Sequence, residues 1–458
     1  MNRFAQLLLV TVSAFIPVAH ADTLRVPQDF PTLGVALSAA QPGDEILLAS
    51  GTFEADIATP LIQVNEITIR GSGVDETFIV PSPASQPFEI MLAWRQGTPD
   101  PLDITITDLT IDGFAGGDPE VSESYRTMLR AEGVFFDPEG IVQLIDVRFR
   151  NALKPFDGTV DLNSLDSAIV EDCVFENLDS EAGALYIDNV TRAIVLRSRF
   201  LGNGGFGAPI NISDFNTAAV ADTFVTGTAS RVTVGSGHIA LSRGGLARIT
   251  NCSFGAGGAS TVRPNAQFAQ IDLSDVTAEF VNCAFGPADV FDADGRNSTA
   301  TFTRCIGPGV PPVNDNIVGL PGYADPGDPG PDMLWQTADD NPGDLRPSTD
   351  SPMIDAAFGD FIGSGFRDVF GNPRLVDLPD VADTGGGVRG FLDIGAIEVE
   401  DPCPGDINRD GSLNSSDFFA WATAFTGEAF ECDVNRDGFC TSSDFFAWVT
   451  IFTGQGCD

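Results

Sequence analysis

Ile169-Val-Glu-Asp-Cys-Val-Phe-Glu-Asn177 is a short alternating apolar segment closed by a polar turn residue, and near-copies of it recur along the chain. Asp146-Val-Arg-Phe149-Arg-Asn151 and Arg197-Ser-Arg-Phe200-Leu-Gly-Asn203 flank it. Asp222-Thr-Phe224, Asn251-Cys-Ser-Phe254 and Asn282-Cys-Ala-Phe285 continue the series. Aligned on phenylalanine, successive copies lie about 24 to 31 residues apart, a spacing that signals a stacked repeat. Within each copy the apolar period is two, which makes it a strand with alternate residues turned to a core. One such repeat cannot bury its apolar face alone, but a stack can. A strand that returns to the same sheet after each coil runs parallel to its predecessor, by a crossover that is almost always right-handed. The fold expected is therefore all-β, a right-handed parallel β-helix. In it Phe149, Phe175, Phe200, Phe224, Phe254 and Phe285 form an internal ladder, and Cys173, Cys252 and Cys283 face the same interior.

The 458 residues carry a formal net charge of −41, and Lys154 is the only lysine. That balance argues against nucleic acid or an anionic membrane as partner. Residues 1–21 combine Arg3, an apolar run from Leu7 to about Val18 and Ala19-His-Ala21, which reads as a secretory signal peptide. No other segment is long and apolar enough for a membrane span. The chain is expected to be exported, extracellular or at the cell surface. Cys173, Cys252, Cys283 and Cys305 fall in the repeats as small buried hydrophobes, whereas Cys403, Cys432, Cys440 and Cys457 cluster where a small domain needs staples.

The mature chain opens with Leu24-Arg-Val-Pro-Gln-Asp-Phe-Pro-Thr-Leu33, a helical patch to Ala40, Pro42-Gly-Asp-Glu-Ile-Leu-Leu48, Gly51-Thr-Phe-Glu54 and Ile67-Thr-Ile-Arg-Gly71. This resembles the N-terminal end of secreted pectin-lyase-like β-helix proteins, in which a short amphipathic helix caps the first coil. Leu33, Val35, Leu37 and Ala40 are the expected covering face. Gly116 to Ala131 reads as a polar insertion, and coils then continue to about Cys305, so residues 22–306 form the β-helix. Residues 307–400 break into Pro321-Gly-Tyr-Ala-Asp-Pro326, Asp344-Leu-Arg346, Ser351-Pro-Met-Ile-Asp355, Asp368-Val-Phe-Gly-Asn-Pro-Arg374 and Asp393-Ile-Gly-Ala-Ile-Glu398. That run resembles the end of the surface β-helix proteins called choice-of-anchor, which implies surface display and no chemistry.

Residues 401–458 carry the sharpest motif. Asp406-Ile-Asn408-Arg-Asp410-Gly-Ser412-Leu-Asn414-Ser-Ser-Asp417 is duplicated as Asp433-Val-Asn435-Arg-Asp437-Gly-Phe439-Cys-Thr441-Ser-Ser-Asp444. Ca²⁺ takes six to eight oxygens, and a twelve-residue loop delivers them from positions 1, 3, 5, 7, 9 and 12 with glycine at 6. Asp406, Asn408, Asp410, the Ser412 carbonyl, Asn414 and Asp417 fit one site. Asp433, Asn435, Asp437, the Phe439 carbonyl, Thr441 and Asp444 fit a second. Position 12 is Asp rather than the Glu of an EF-hand, and each loop precedes one helix bearing Phe-Phe-x-Trp, a stripe read as core. This resembles the small α-helical, two-calcium dockerin modules, most closely the GC-type dockerin-like anchors of exported bacterial proteins. The resemblance implies Ca²⁺ at two sites and contact to a cohesin-like module or cell-surface receptor through Ser415, Ser416, Ser442 and Ser443. Pairing Cys403 with Cys457 and Cys432 with Cys440 is one of three connectivities.

No catalytic residue is assigned. His238, in Gly235-Ser-Gly-His238, lacks the acidic neighbours of a polygalacturonase site and reads as structural. Arg148, Arg150, Lys154, Arg197 and Arg199 form a basic stripe that either grips uronate carboxylates or pairs with neighbouring Asp and Glu. Asp328, Asp332, Asp339 and Asp340 hold another Ca²⁺ or only shape turns. The leading expectation is an exported, surface-displayed β-helix with a calcium-binding anchor that binds polysaccharide. The alternative is a polysaccharide lyase or glycoside hydrolase tethered by a dockerin.

Overall fold

The computed structural model describes residues 21–454 apart from 56–61, 63, 82–90, 96–100, 114–126, 135–138, 154–157, 231–236, 260–268, 288, 293–296, 338, 361–366, 379–380, 388, 402, 409–411, 428–431 and 436–438. The signal-peptide segment 1–20, Lys154, Asp410, Asp437 and Cys457 lie outside the described residues. Of the insertion 116–131, only its last five residues are described. Leu129–Glu132 is a strand of the stack, paired with Leu92–Arg95 and Val160–Glu171, so the insertion ends earlier than its composition suggests.

Strand pairing defines the architecture. Leu185–Leu196 pairs in parallel with Ile210–Ala221, starting from Leu185 opposite Ile210. Arg199–Leu201 pairs with Phe224–Thr226, and Gly204–Gly205 with Ala229 and Ser230. Each turn of chain lays three strands on the three strands of the turn before. Among the described residues twenty-eight strands join in this way into one sheet, parallel in every pairing described for it. The chain is thus mainly β, a right-handed parallel β-helix.

Sharp corners are made by residues in the left-handed region, where Asn and Asp are the least penalised non-glycine types. Asp146, Asp172, Arg197, Asp222, Asn251, Asn282 and Arg304 occupy one corner with φ between 43° and 55°. The residue after each corner turns inward and is small in most coils: Cys173, Ser198, Thr223, Cys252, Cys283 and Cys305 are buried. The four cysteines of this column are free. Two positions further on, inward residues stack again. Phe175 lies 5.1 Å from Phe149 and 4.5 Å from Phe200 between ring centroids, and Phe254 lies 5.2 Å from Phe285.

Phe224 does not belong to this ladder. Thr223 takes the small slot after the Asp222 corner, so the period of two points Phe224 outward and Val225 inward. Phe200 is accordingly opposite Val225, and Val225 opposite Phe254.

The first coil is capped by α1 (Leu33–Ala39), whose N-cap Thr32 accepts a hydrogen bond from the Val35 N–H. Its buried face is Leu33, Ala36, Leu37 and Ala40, spaced as helix geometry demands, while Val35 is 46 % exposed. Val35 therefore lies off the covering face, and Ala36 takes the place expected of it.

Residues beyond Cys305 first extend the stack by Ile306–Gly307, paired with Ile317–Val318. The chain then folds back along one flank. Outward residues Phe224, Ala284 and Ile306 form an apolar cluster with Tyr323, Leu345, Met353, Val369, Leu392 and Ile394. This lateral cover is tied on by polar contacts: Asn282 exchanges side-chain hydrogen bonds with both backbone groups of Phe358, and the Ala396 N–H donates to Ser253 Oγ. Beneath it Arg374, fully buried, lies 3.4 Å from Asp222 and 3.8 Å from Glu398, and donates to the Asp393 and Gly395 carbonyls. Among the described residues no helix is long and apolar enough to cross a membrane.

Candidate functional site

The two calcium-type loops repeat each other in detail. Asp417 is wholly buried, and its carboxylate accepts the Asn408 N–H at 3.2 Å and the Asn414 N–H at 2.8 Å. Asp444, equally buried, accepts the Asn435 N–H at 3.1 Å and the Thr441 N–H at 2.7 Å. Position 12 thus draws positions 3 and 9 around itself in both loops. The Asn414 amide reaches the Ser412 carbonyl at 2.6 Å, which puts positions 7 and 9 side by side. Ser416 and Ser443 accept from Asn408 and Asn435, while Ser415 and Ser442 begin α2 (Ser415–Gly427) and α3 (Ser442–Gly454). Asp406, Asp433 and Phe439 lie in the same loops. The donor set is all oxygen and includes carboxylates held out of water, which fits a hard divalent cation.

The helices lock crosswise. Trp421 of α2 donates to the Cys432 carbonyl before the second loop, and Trp448 of α3 to the Gly405 carbonyl before the first, both at 3.0 Å. Phe418 and Phe445 meet between them at 5.9 Å. The neighbouring Phe419 and Phe446 are each 67 % exposed, so the Phe-Phe-x-Trp stripe is core only in part. Helical geometry turns adjacent residues about 100° apart, and one phenylalanine of each pair must leave the seam. Cys432 and Cys440 are disulfide-bonded to each other, and Cys403 is also disulfide-bonded.

The structure separates the arginines of the sequence stripe. Arg150 pairs with Asp112 at 2.7 Å. Arg197 sits at a corner, paired with Asp172 at 2.8 Å and with Glu171. Arg148 and Arg199 share an outward column on either side of Val174. Arg148 reaches the exposed Asp75 at 2.7 Å and Glu176 at 4.0 Å. Arg199 makes no ion pair among the described residues; its guanidinium lies over the Phe370 ring at 5.4 Å. Arg346 lies over the same ring at 5.2 Å, so one aromatic holds two guanidiniums. Burial first, and then the Arg148 charge, lower the Arg199 pKa, against the opposing pull of Glu176 and Asp146. Phe370 and Arg346 come from the lateral cover, more than a hundred residues away in sequence, and only the fold brings them to the stripe. Nothing in Val369-Phe370-Gly371 marks Phe370 as exposed, so the sequence carried no signal for this contact.

A groove of about 360 Å³ opens elsewhere on the helix, lined by Pro101, Asp103, Glu139, Gly140, Ile141 and Asp166. Asp103 and Ile141 are strand partners, and Ile141 is opposite Ser167, so consecutive coils place three carboxylates around one opening. His238 is buried, with Nδ1 2.7 Å from Thr228 Oγ1 and Nε2 3.1 Å from the Gly255 carbonyl. Burial pushes its pKa down to about 4. The carbonyl can only accept, so Nε2 carries the proton and the ring is a structural crosslink. Asp328, Asp332 and Asp340 accept backbone N–H groups of their own turns, and Asp339 accepts from Thr337 Oγ1.

No protein-family model matches the chain, and no curated protein matches it. Solved structures that it resembles include ORF18 of Geobacillus virus E2, at 12 % identity and TM-score 0.37, over 64 % of this chain and 59 % of the viral one. Others are the mannuronan C-5 epimerase AlgE6 A-module of Azotobacter vinelandii (15 %, TM-score 0.22, 63 % and 89 %) and pectate lyase Pel9A (11 %, TM-score 0.28, 84 % and 98 %). This chain therefore spans less than two thirds of the viral protein's length. The β-helix itself rests on the parallel pairings between successive coils.

Proposed function

We propose that the chain is an exported, surface-displayed β-helix that binds anionic polysaccharide and is held at the cell surface by its two-calcium, dockerin-like C-terminal domain. The observation that carries this reading is the Phe370 ring between Arg199 and Arg346, with Arg148 beside it, on a chain of net charge −41. A guanidinium over an aromatic ring is held in place with its edge N–H groups outward, and Arg199 keeps these for a carboxylate, whereas Arg346 also lies 3.4 Å from Asp344 and Arg148 is paired with Asp75. Cations gathered on an otherwise acidic surface serve recognition of an anion better than they serve solubility. In the C-terminal domain Asp406, Asn408, Ser412, Asn414 and Asp417, and in the second loop Asp433, Asn435, Phe439, Thr441 and Asp444, would hold the two Ca²⁺ ions. The ions would fold the loops against the Trp421–Trp448 seam, presenting Ser415, Ser416, Ser442 and Ser443 to a receptor or cohesin-like module.

Affinity electrophoresis through polygalacturonate, alginate and neutral dextran tests the binding. Retardation by the two uronates, lowered at least tenfold in the Arg199→Ala/Arg346→Ala variant and by added salt, is expected. Equal retardation by dextran, or an unchanged double variant, would refute it. Shedding of an Asp417→Asn/Asp444→Asn variant into the medium is the expected sign of the anchor. A second reading, glycoside hydrolysis, is favoured by the three carboxylates around the groove, since that chemistry uses a carboxyl pair across the scissile bond. Product release from uronate polymers that stops in Asp103→Asn or Asp166→Asn would establish it instead.

A further inference from the structure

The lateral cover contains an acidic site that the anchor and the glycan patch do not use. The turn Ser351-Pro-Met-Ile-Asp355 ends with Asp355 in the left-handed region, φ 51°. The Asp355 carbonyl accepts the Thr384 N–H at 2.9 Å and the Gly385 N–H at 3.0 Å, which pins the 381–385 segment beside the turn. The Asp355 N–H donates to Asp393 Oδ1 at 2.9 Å. The Asp355 side chain is wholly buried, and neither of its carboxylate oxygens has a hydrogen-bond partner in normal bonding geometry, the Leu378 N–H offering only a weak favourable contact. A buried, unpartnered carboxylate is among the costliest groups a fold can hold, so it demands a counter-charge or a proton.

Two further carboxylates converge on it from the solvent side. Asp377 is half-buried and Asp383 exposed, and one oxygen from each of Asp355, Asp377 and Asp383 lies within 4.8 Å of the others. Two oxygens on one Ca²⁺ ion, each bonded at about 2.3–2.6 Å, can be no more than about 5 Å apart, so the spacing is that of a shared ion. Burial raises the Asp355 pKa to about 8, followed by the charges of Asp393, Asp377 and Asp383, all carboxylates. Arg374, buried among the described residues of the cover, already serves Asp222, Glu398, Asp368 and Asp393.

We propose that Asp355, Asp377 and Asp383 ligate one Ca²⁺ ion, which clamps Asp377 and the 381–385 segment onto the Ser351–Asp355 turn and so fastens the cover to the β-helix. The ligands are hard oxygens without nitrogen or sulfur, which favours Ca²⁺ over zinc, and the exposed Asp383 side leaves room for the waters that complete Ca²⁺ coordination. The clamp lies three residues before Phe358, which is bonded to Asn282 of the stack. Its ion therefore acts on the join between cover and helix, independently of the C-terminal loops.

The test uses the full chain, equilibrated with Ca²⁺ and counted by native mass spectrometry, with amide hydrogen exchange followed at Thr384 and Gly385. Asp377→Asn/Asp383→Asn, at positions near the surface where folding is spared, is expected to bind one Ca²⁺ fewer than wild type. Its two amides are expected to lose the protection that Ca²⁺ confers. Asp417→Asn/Asp444→Asn is expected to keep this ion and that protection while losing the ions of the loops. Wild-type stoichiometry in Asp377→Asn/Asp383→Asn would overturn the proposal. So would an Asp355→Asn variant that melts higher than wild type in saturating Ca²⁺, because that is the behaviour of a buried carboxyl with a proton and no ion.

Discussion

Replacing Asn282 by alanine should loosen the cover from the stack. Asn282 is buried at a corner with φ 54°. Its amide donates to Asn251 Oδ1 at 3.0 Å and to the Phe358 carbonyl at 3.1 Å, and its Oδ1 accepts the Phe358 N–H at 2.7 Å. The Asn251 amide donates in turn to Asp222 Oδ1 at 3.0 Å, so the three corners form one hydrogen-bonded ladder. Alanine removes three bonds and strands their partners, at about 1–3 kcal/mol for a fully buried group and less for half-buried Phe358. Forcing alanine into the left-handed region adds about 1 kcal/mol. The expected loss is about 3–6 kcal/mol. Asn282→Gly removes the same bonds without the backbone strain and should cost about 1 kcal/mol less. Stacked repeats open locally as well as globally, so the assay is hydrogen exchange of the Phe358 and Gly395 amides in saturating Ca²⁺, beside urea unfolding. A loss of about 3 kcal/mol is an exchange about a hundredfold faster in the alanine variant. Unchanged Phe358 protection together with a loss under about 1 kcal/mol would refute the ladder as the join.

Three further outcomes are expected. His238 is neutral in the fold with a pKa lowered to about 4, so the unfolded chain binds more protons below its ordinary value of about 6.5. Its contribution is complete above that value and is lost as pH falls through 4, on the order of 3 kcal/mol, and a His238→Gln variant should flatten that part of the stability–pH curve. Chelation of Ca²⁺ should shift Trp421 and Trp448 emission to the red while the β-sheet signal persists, because both indoles are buried between the two loops; unchanged emission would remove calcium from the C-terminal fold. Cys173, Cys252, Cys283 and Cys305 are buried and free, and burial raises Cys173 to about 12, so a thiol reagent should label none of the four until the stack unfolds.

The duplication of the loops was legible in the sequence because their pattern is local, set within twelve residues, and in the structure the backbone N–H groups at positions 3 and 9 of each loop turn onto the Asp at position 12. The capping helix was legible as an element, but its face was misjudged by one residue, because a seven-residue pattern of small apolar side chains fits more than one stripe. Phe224 shows the same limit in a strand: the spacing of phenylalanines suggests a sixth ladder rung, while the corner at Asp222 fixes the count and turns it out.

The sequence by itself determined the period, the parallel stack and the paired loops, since each follows from residues close together or repeated at a fixed interval. Only the tertiary structure decided where the lateral cover lies. That placement put Phe370 and Arg346 against Arg199, buried Arg374 beside Asp222, and brought Asp377 and Asp383 to Asp355. The cover has no periodicity to read. Its short apolar anchors bind wherever the stack leaves an outward apolar residue uncovered, and that surface exists only once the coils have formed.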